Sequence, residues 1–127
     1  MGQSYTELVV WQRARQLVKL VYEFSREFPR DEIYGLTSQL RRAAVSVPSN
    51  IAEGQARQSQ KDFLRFLSVA RGSLAEVQTQ AMIAFDLGYV LNDKMLALLE
   101  ETKHVYRLLN ALYGAIERRV NNGSAKN

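Results

Sequence analysis

Along most of the chain, apolar residues recur at intervals of three and four, which is the spacing of one face of an α-helix. Proline and glycine divide this pattern into four segments, at about residues 5–28, 32–52, 59–87 and 92–120. Helices of this size would be about 30–40 Å long, and their short connections make neighbouring helices antiparallel. The pattern predicts an all-α chain. We expect an antiparallel up-down-up-down four-helix bundle over residues 1–120 and a flexible C-terminal tail over residues 121–127.

The ends of the segments carry residues that stop or start helices. Pro29 ends the first segment, and Gly54 and Gly88 follow the second and third, where a left-handed C-cap residue is expected. Ser59 and Asp62 have the spacing of a capping box directly before an apolar run. The third helix is therefore predicted to begin at this point.

Pro48 lies inside the second segment. A proline within a helix removes one backbone hydrogen bond and crowds the carbonyl group four residues back, here that of Ala44. The apolar spacing continues past Pro48 to Ile51. We therefore expect the second helix to be kinked at Pro48 rather than ended there.

The first segment is apolar over an unusually wide face. Its apolar residues cover roughly 200° of a helical wheel, whereas a helix that packs against one core usually shows a stripe a little over 100° wide. Two interpretations fit this pattern. The helix is either the central helix of a small bundle, or it uses part of its face as a subunit interface.

Composition excludes several kinds of chemistry. The 127 residues include no cysteine and one histidine, His104, which rules out disulfides, thiolate catalysis and a His-rich metal site. The net charge is +4, spread over the whole chain, so no basic block indicates nucleic acid. We see no signal peptide and no apolar run of the roughly 18 residues that a membrane span needs. The expected location is the cytoplasm.

Polar residues on helices two and three have two interpretations. We assume that the two helices are antiparallel and that the chain turns around residue 56. The numbers of two residues that face each other then add up to about 113, which places Ser46 near Leu67. In the structural interpretation, Arg41 or Arg42 pairs with Glu76, while Asn50 and Ser73 satisfy backbone groups.

The functional interpretation is an anion-binding or RNA-binding site. Arg57, Lys61 and Arg65 cluster around the start of helix three, where free N–H groups also favour an anion. Arg41 and Arg42 are a second candidate site for the same purpose.

Nothing in the sequence indicates catalysis. Glu53 and Glu76 are the carboxylates nearest the polar face, but no histidine, nucleophile or second carboxylate is spaced to partner them. His104 lies outside the apolar stripe of helix four and is interpreted as a surface residue. We therefore expect no catalytic, cofactor-binding or metal-binding residues and no enzymatic activity.

Two blocks of sequence resemble a known family. They are QLRRAAVSVPSNIAEG at residues 39–54 and FLRFLSVARGSLAE at residues 63–76. With them, the chain closely resembles the bacterial four-helix-bundle family that includes proteins encoded by intervening sequences in 23S rRNA genes. The family's marked positions in this chain are Arg41, Arg42, Ser46, Pro48, Asn50, Glu53, Gly54, Arg71, Gly72, Ser73 and Glu76.

The resemblance implies an assembly but not a molecular role. It implies a four-helix bundle that forms a ring-like homopentamer. A similar pentameric bundle is the accessory protein of diversity-generating retroelement reverse transcriptases, which suggests a nucleoprotein role by analogy. The first hypothesis is thus a non-enzymatic oligomeric module that binds RNA or a ribonucleoprotein. The alternative is a protein–protein interaction scaffold that does not bind nucleic acid.

Overall fold

The computed structural model describes residues 4–126, which form four α-helices and no strand. These helices are α1 (Val9–Phe24), α2 (Leu36–Ala56), α3 (Gln60–Asp86) and α4 (Asn92–Lys126). Short 3₁₀ turns at Tyr5–Glu7 and Arg30–Glu32 precede α1 and α2. The predicted all-α class is confirmed.

Each helix packs against two others, in the cyclic order α1, α2, α3, α4. Two side-chain hydrogen bonds show that α3 and α4 are antiparallel. Arg71 bonds to Asn110, whereas Gln78, further along α3, bonds to Thr102, which comes earlier on α4. One continuous apolar core lies between the helices. Its largest fully buried side chains come from all four helices and include Leu17, Leu40, Ile51, Leu67, Leu74 and Leu109.

The corner between α1 and α2 differs from the prediction at both helix ends. α1 ends at Phe24, and the chain then turns before Pro29; the Ser25 hydroxyl donates to the carbonyl of Val21 at 2.8 Å. α2 begins at Leu36 rather than near Glu32. The Glu32 carboxylate instead accepts a hydrogen bond from the backbone N–H of Leu36 at 2.9 Å, and so caps the helix from outside.

The two glycines predicted as C-caps have different roles. Gly88 has φ +79° and follows α3, as predicted. The prediction for Gly54 is wrong, because α2 continues through it to Ala56 and Gly54 is buried. A Cβ atom on Gly54 would lie 2.8 Å from Cδ1 of Phe63 and 2.9 Å from Cβ of Phe66. Gly54 therefore allows α2 and α3 to approach closely.

Other predicted helix features have mixed outcomes. The Ser59 hydroxyl accepts a hydrogen bond from the backbone N–H of Asp62 at 3.2 Å, which confirms the predicted start of α3. α2 is one helix through the buried Pro48, and a kink at this residue stays a prediction. α4 continues to Lys126, so its backbone is helical over most of the predicted tail, whose flexibility stays a prediction. Residues 1–3 of the predicted domain and residue 127 of the tail lie outside the described residues.

The wide apolar face of α1 is only partly covered. Ala14, Leu17 and Val21 are fully buried, whereas Leu20 is 40% and Tyr22 is 42% exposed. Large apolar side chains are also exposed on the other helices, among them Val45, Val69, Met82, Ile83, Phe85 and Leu96. The fold therefore leaves apolar surface on several helices.

Candidate functional site

A polar network joins the middle of α2 to α3. The hydroxyl oxygens of Ser46 and Ser73 lie 2.8 Å apart, and the Asn50 amide donates to the carbonyl and hydroxyl oxygens of Ser46, each at 2.8 Å. Ser46 thus faces Ser73 rather than the predicted Leu67. The register differs because α2 runs on to Ala56, which moves the turn further along the chain.

Arg41 points towards α1. Its Nε donates to the Ser25 hydroxyl at 2.8 Å, and its guanidinium carbon lies 4.6 Å from the centre of the Tyr22 ring. The predicted pairing of Arg41 or Arg42 with Glu76 is wrong, since no ion pair in residues 4–126 involves them. Arg41 lies on the side of α2 that faces α1, whereas Glu76 is on α3.

The predicted cluster of Arg57, Lys61 and Arg65 is partly assembled in the structure. The guanidinium carbons of Arg57 and Arg65 lie 4.9 Å and 4.5 Å from the centre of the same Phe66 ring. Lys61 is exposed nearby on the first turn of α3. The two arginines are therefore held in one patch, which we call the Phe66 patch and define as Arg57, Lys61, Arg65 and Phe66.

Two carboxylates reduce the charge of the Phe66 patch. Arg57 Nη2 lies 2.8 Å from Glu53 Oε2, and Arg65 Nη2 lies 3.5 Å from Asp62 Oδ1. The side chains of both pairs are 44–60% exposed, so water and salt screen the attraction and each pair contributes little. An anion can therefore compete for these arginines without a large desolvation penalty.

Arg71 has a structural position between α3 and α4. Its guanidinium carbon lies 4.0 Å from the centre of the Tyr113 ring, and its Nη1 donates to the side-chain oxygen of Asn110 at 3.1 Å. Gly72 is exposed, and a Cβ atom there would meet nothing within 4 Å. Packing within one chain therefore explains Arg71 and Gly54 among the family's marked positions, but it does not explain Gly72.

A hydrogen-bonded pair ties the loop before α4 to the turn before α2. The Tyr89 hydroxyl donates to Glu32 Oε2 at 2.7 Å, while Glu32 Oε1 accepts the N–H of Leu36. The hydrogen bond from the Leu36 N–H lowers the pKa of Glu32 most, and the bond from Tyr89 lowers it further. The bond to Glu32 raises the pKa of Tyr89. The sequence analysis missed this pair because the two residues are 57 positions apart.

A second feature that the sequence analysis missed is a cavity at the corner between α1 and α2. Arg26, Arg30 and Arg41 line it, together with the buried Thr37. These residues are 4, 7 and 4 positions apart, but they do not lie on one helix, and the turn around Pro29 brings them together. The cavity lies on the α1 side of α2 and is separate from the Phe66 patch.

Metal ligation and membrane insertion have no support in the described residues. The described residues include no cluster of three or more His, Cys, Asp or Glu side chains that could hold a metal ion. None of the helices in the described region combines the length and apolar character needed to cross a membrane. His104 is half-buried on α4.

Comparison with known proteins identifies a family and a similar fold. The profile of the 23S rRNA-intervening sequence protein family matches residues 6–111. A solved structure of a protein of unknown function from the S23 ribosomal protein family of Bacteroides thetaiotaomicron has a TM-score of 0.74 and 18% sequence identity. The similarity covers 83% of this chain and 98% of the other chain. No curated protein matches the sequence.

Proposed function

This chain belongs to the 23S rRNA-intervening sequence protein family, and we propose that it is a non-enzymatic, homo-oligomeric module that binds RNA or a ribonucleoprotein. The observation that supports RNA binding is the Phe66 patch, in which one aromatic ring holds two guanidinium groups beside an exposed lysine. Arginine and lysine at a surface of this kind contact phosphate groups without reading base sequence.

The energetics of the patch favour weak binding at each site. Only Glu53 and Asp62 oppose its three positive charges, and both carboxylates are about half exposed. The phosphate groups of an RNA backbone would replace these screened ion pairs with contacts of a similar kind. The favourable free energy of binding would therefore come mainly from the release of counterions. Strong association then requires several copies of the patch on one assembly, because linked sites raise the overall affinity.

Self-association supplies those copies in our proposal. The support is the exposed apolar surface, such as Leu20 on α1 and Val69 on α3, together with the open position of Gly72. A glycine in the middle of a helix destabilises it by about 1 kcal/mol relative to alanine. Close approach of a neighbouring subunit would account for that residue. We propose the ring-like homopentamer that the family resemblance implies, with α2 kinked at Pro48 within each subunit.

The first test measures assembly and bound nucleic acid together. Protein purified without nuclease is analysed by size exclusion with light scattering, with absorbance recorded at 260 and 280 nm. A pentamer with excess absorbance at 260 nm supports both parts of the proposal. A pentamer without it supports assembly alone, and a monomer contradicts the assembly.

A charge-matched pair of variants then tests the Phe66 patch. Lys61→Gln with Arg65→Gln removes two positive charges from the patch, and Lys103→Gln with Arg107→Gln removes two from exposed positions on α4. At about 50 mM salt we expect the first variant to bind RNA about tenfold more weakly, with a smaller salt dependence. Equal losses in both variants would show that only the net charge matters.

The alternative function is a protein–protein interaction scaffold. It is favoured by the same exposed apolar residues and by the carboxylates that accompany the arginines of the patch. It predicts an assembly that binds no RNA at low salt. A stable protein partner whose binding is insensitive to the Lys61/Arg65 substitutions would support this alternative.

A further inference from the structure

The corner cavity between α1 and α2 has the composition of an anion site. It has a volume of about 340 Å³, and its lining residues include Arg26, Arg30 and Arg41 but no carboxylate. Among the described residues, none of these three arginines forms an ion pair. Three cationic residues that line one cavity without a carboxylate give it a positive potential, which favours an anion. From this arrangement we propose that the cavity binds a phosphate group.

Thr37 adds a polar residue to the lining of the cavity. This residue is only 4% exposed and lines the cavity. Within the part of the chain that the structure describes, its hydroxyl group makes no hydrogen bond to another residue. A phosphate oxygen in the cavity would accept its proton.

Arg41 is held in position before any ligand binds. Its Nε donates to the Ser25 hydroxyl, and Ser25 is itself 1% exposed and bonded to the carbonyl of Val21. The Tyr22 ring supports the guanidinium plane. These contacts use Nε and leave the two outer nitrogens of Arg41 for an oxyanion, the geometry in which arginine binds phosphate.

The remaining wall of the cavity favours a phosphate ester. Phe28, Pro29 and Ile33 form an apolar side next to the three arginines. Inorganic phosphate would use only the charged side, whereas a nucleotide would also pack its sugar or base on the apolar side. The phosphate can thus come from a nucleic-acid end or backbone, or from a free phosphate compound.

This site is separate from the Phe66 patch. Arg57 directly follows α2 and lies sixteen positions after Arg41, or about 24 Å along the helix axis at 1.5 Å per residue. They also face different neighbouring helices, since Arg41 contacts α1 and Arg57 contacts Phe66 of α3. Phosphate binding at the corner does not depend on RNA binding at the patch.

The test is a titration of the full chain with three probes at low salt. They are inorganic phosphate, a short RNA with a 5′-phosphate and the same RNA without it, followed by calorimetry. Arg30→Gln removes a cavity arginine, and Thr37→Val removes the hydroxyl group while keeping the side-chain shape. Arg107→Gln is the matched control, because Arg107 is exposed on α4 and does not line this cavity.

We expect wild-type protein and Arg107→Gln to bind at least one phosphate probe with affinities within about twofold of each other. Arg30→Gln should bind it about tenfold more weakly, and Thr37→Val about three- to tenfold more weakly. Tighter binding of the phosphorylated RNA identifies a nucleic-acid end, equal binding of both RNAs identifies the backbone, and binding of inorganic phosphate alone identifies a free phosphate compound. Absence of binding for all three probes, or an equal loss in Arg107→Gln and Arg30→Gln, would overturn the proposal. Light scattering on each variant separates these outcomes from a failure of assembly.

Discussion

The hydroxyl oxygens of Ser46 and Ser73 lie 2.8 Å apart and connect the middle of α2 to the middle of α3. Asn50 donates to Ser46 Oγ, so that the Ser46 hydroxyl proton is free to point towards Ser73. Ser73 is 5% exposed, which places this contact largely out of water. The network fixes how far α2 can slide along α3.

We expect Ser73→Ala to reduce the free energy of unfolding by about 1 kcal/mol, the usual net contribution of such a hydrogen bond. Urea denaturation measures this change. Ser49→Ala, at an exposed position of α2, is the control and should change stability by less than about 0.5 kcal/mol. A Ser73→Ala protein as stable as wild type would mean that the contact does not contribute.

Gly54 and Gly72 should respond to alanine in opposite ways. Gly54→Ala places a methyl group 2.8 Å from the Phe63 ring, and we expect a loss of about 1–3 kcal/mol from overpacking despite the better helix propensity of alanine. Gly72→Ala meets nothing within 4 Å in the single chain. The isolated subunit should therefore gain up to about 1 kcal/mol.

Thermal unfolding and light scattering on both variants check this prediction. If Gly72→Ala also dissociates the oligomer, Gly72 lies in a subunit interface, as proposed above. Stabilisation by Gly54→Ala would contradict the close approach of α2 and α3 at that residue.

The Glu32–Tyr89 pair should make stability depend on pH at both extremes. The pKa of Glu32 is lowered from 4.5 in the folded chain, so its contribution is present above that value and is lost as the pH falls through the folded pKa. The pKa of Tyr89 is raised from 10.0, so its contribution is present below that value and is lost as the pH rises through the folded pKa.

Tyr89→Phe removes the shared hydrogen bond. We expect it to lower the urea midpoint near neutral pH, and the difference from wild type should shrink in acid and in strong base. Tyr34→Phe is the control, because Tyr34 is 95% exposed. A difference that stays constant over the whole pH range would show that the hydroxyl group acts only through packing.

The helices could be predicted from the sequence because their apolar spacing is local and regular. The capping by Ser59 and Gly88 was also predictable from residue type and position. Gly54 was misread because a glycine near the end of an apolar run resembles a cap, and only the position of Phe63 on the next helix reveals its packing role.

The candidate site was less predictable, because side-chain partners depend on helix register. A change of a few residues in the α2–α3 turn brought Ser46 opposite Ser73 instead of Leu67. Arg41 donates to Ser25 on the α1 side of α2 rather than meeting Glu76 on α3. Spacing alone does not reveal which neighbouring helix each arginine meets.

The length of α4 has a mechanical consequence. It has 35 residues, against 16 in α1, which corresponds to about 52 Å and 24 Å of helix. Ile116 is the last α4 residue in the apolar core, so the helical turns that follow it extend beyond the core. The direction in which a group attached rigidly to the end of α4 points around the helix axis would depend on the number of residues in these turns. Adding one residue to α4 would rotate such a group by about 100° around the helix axis.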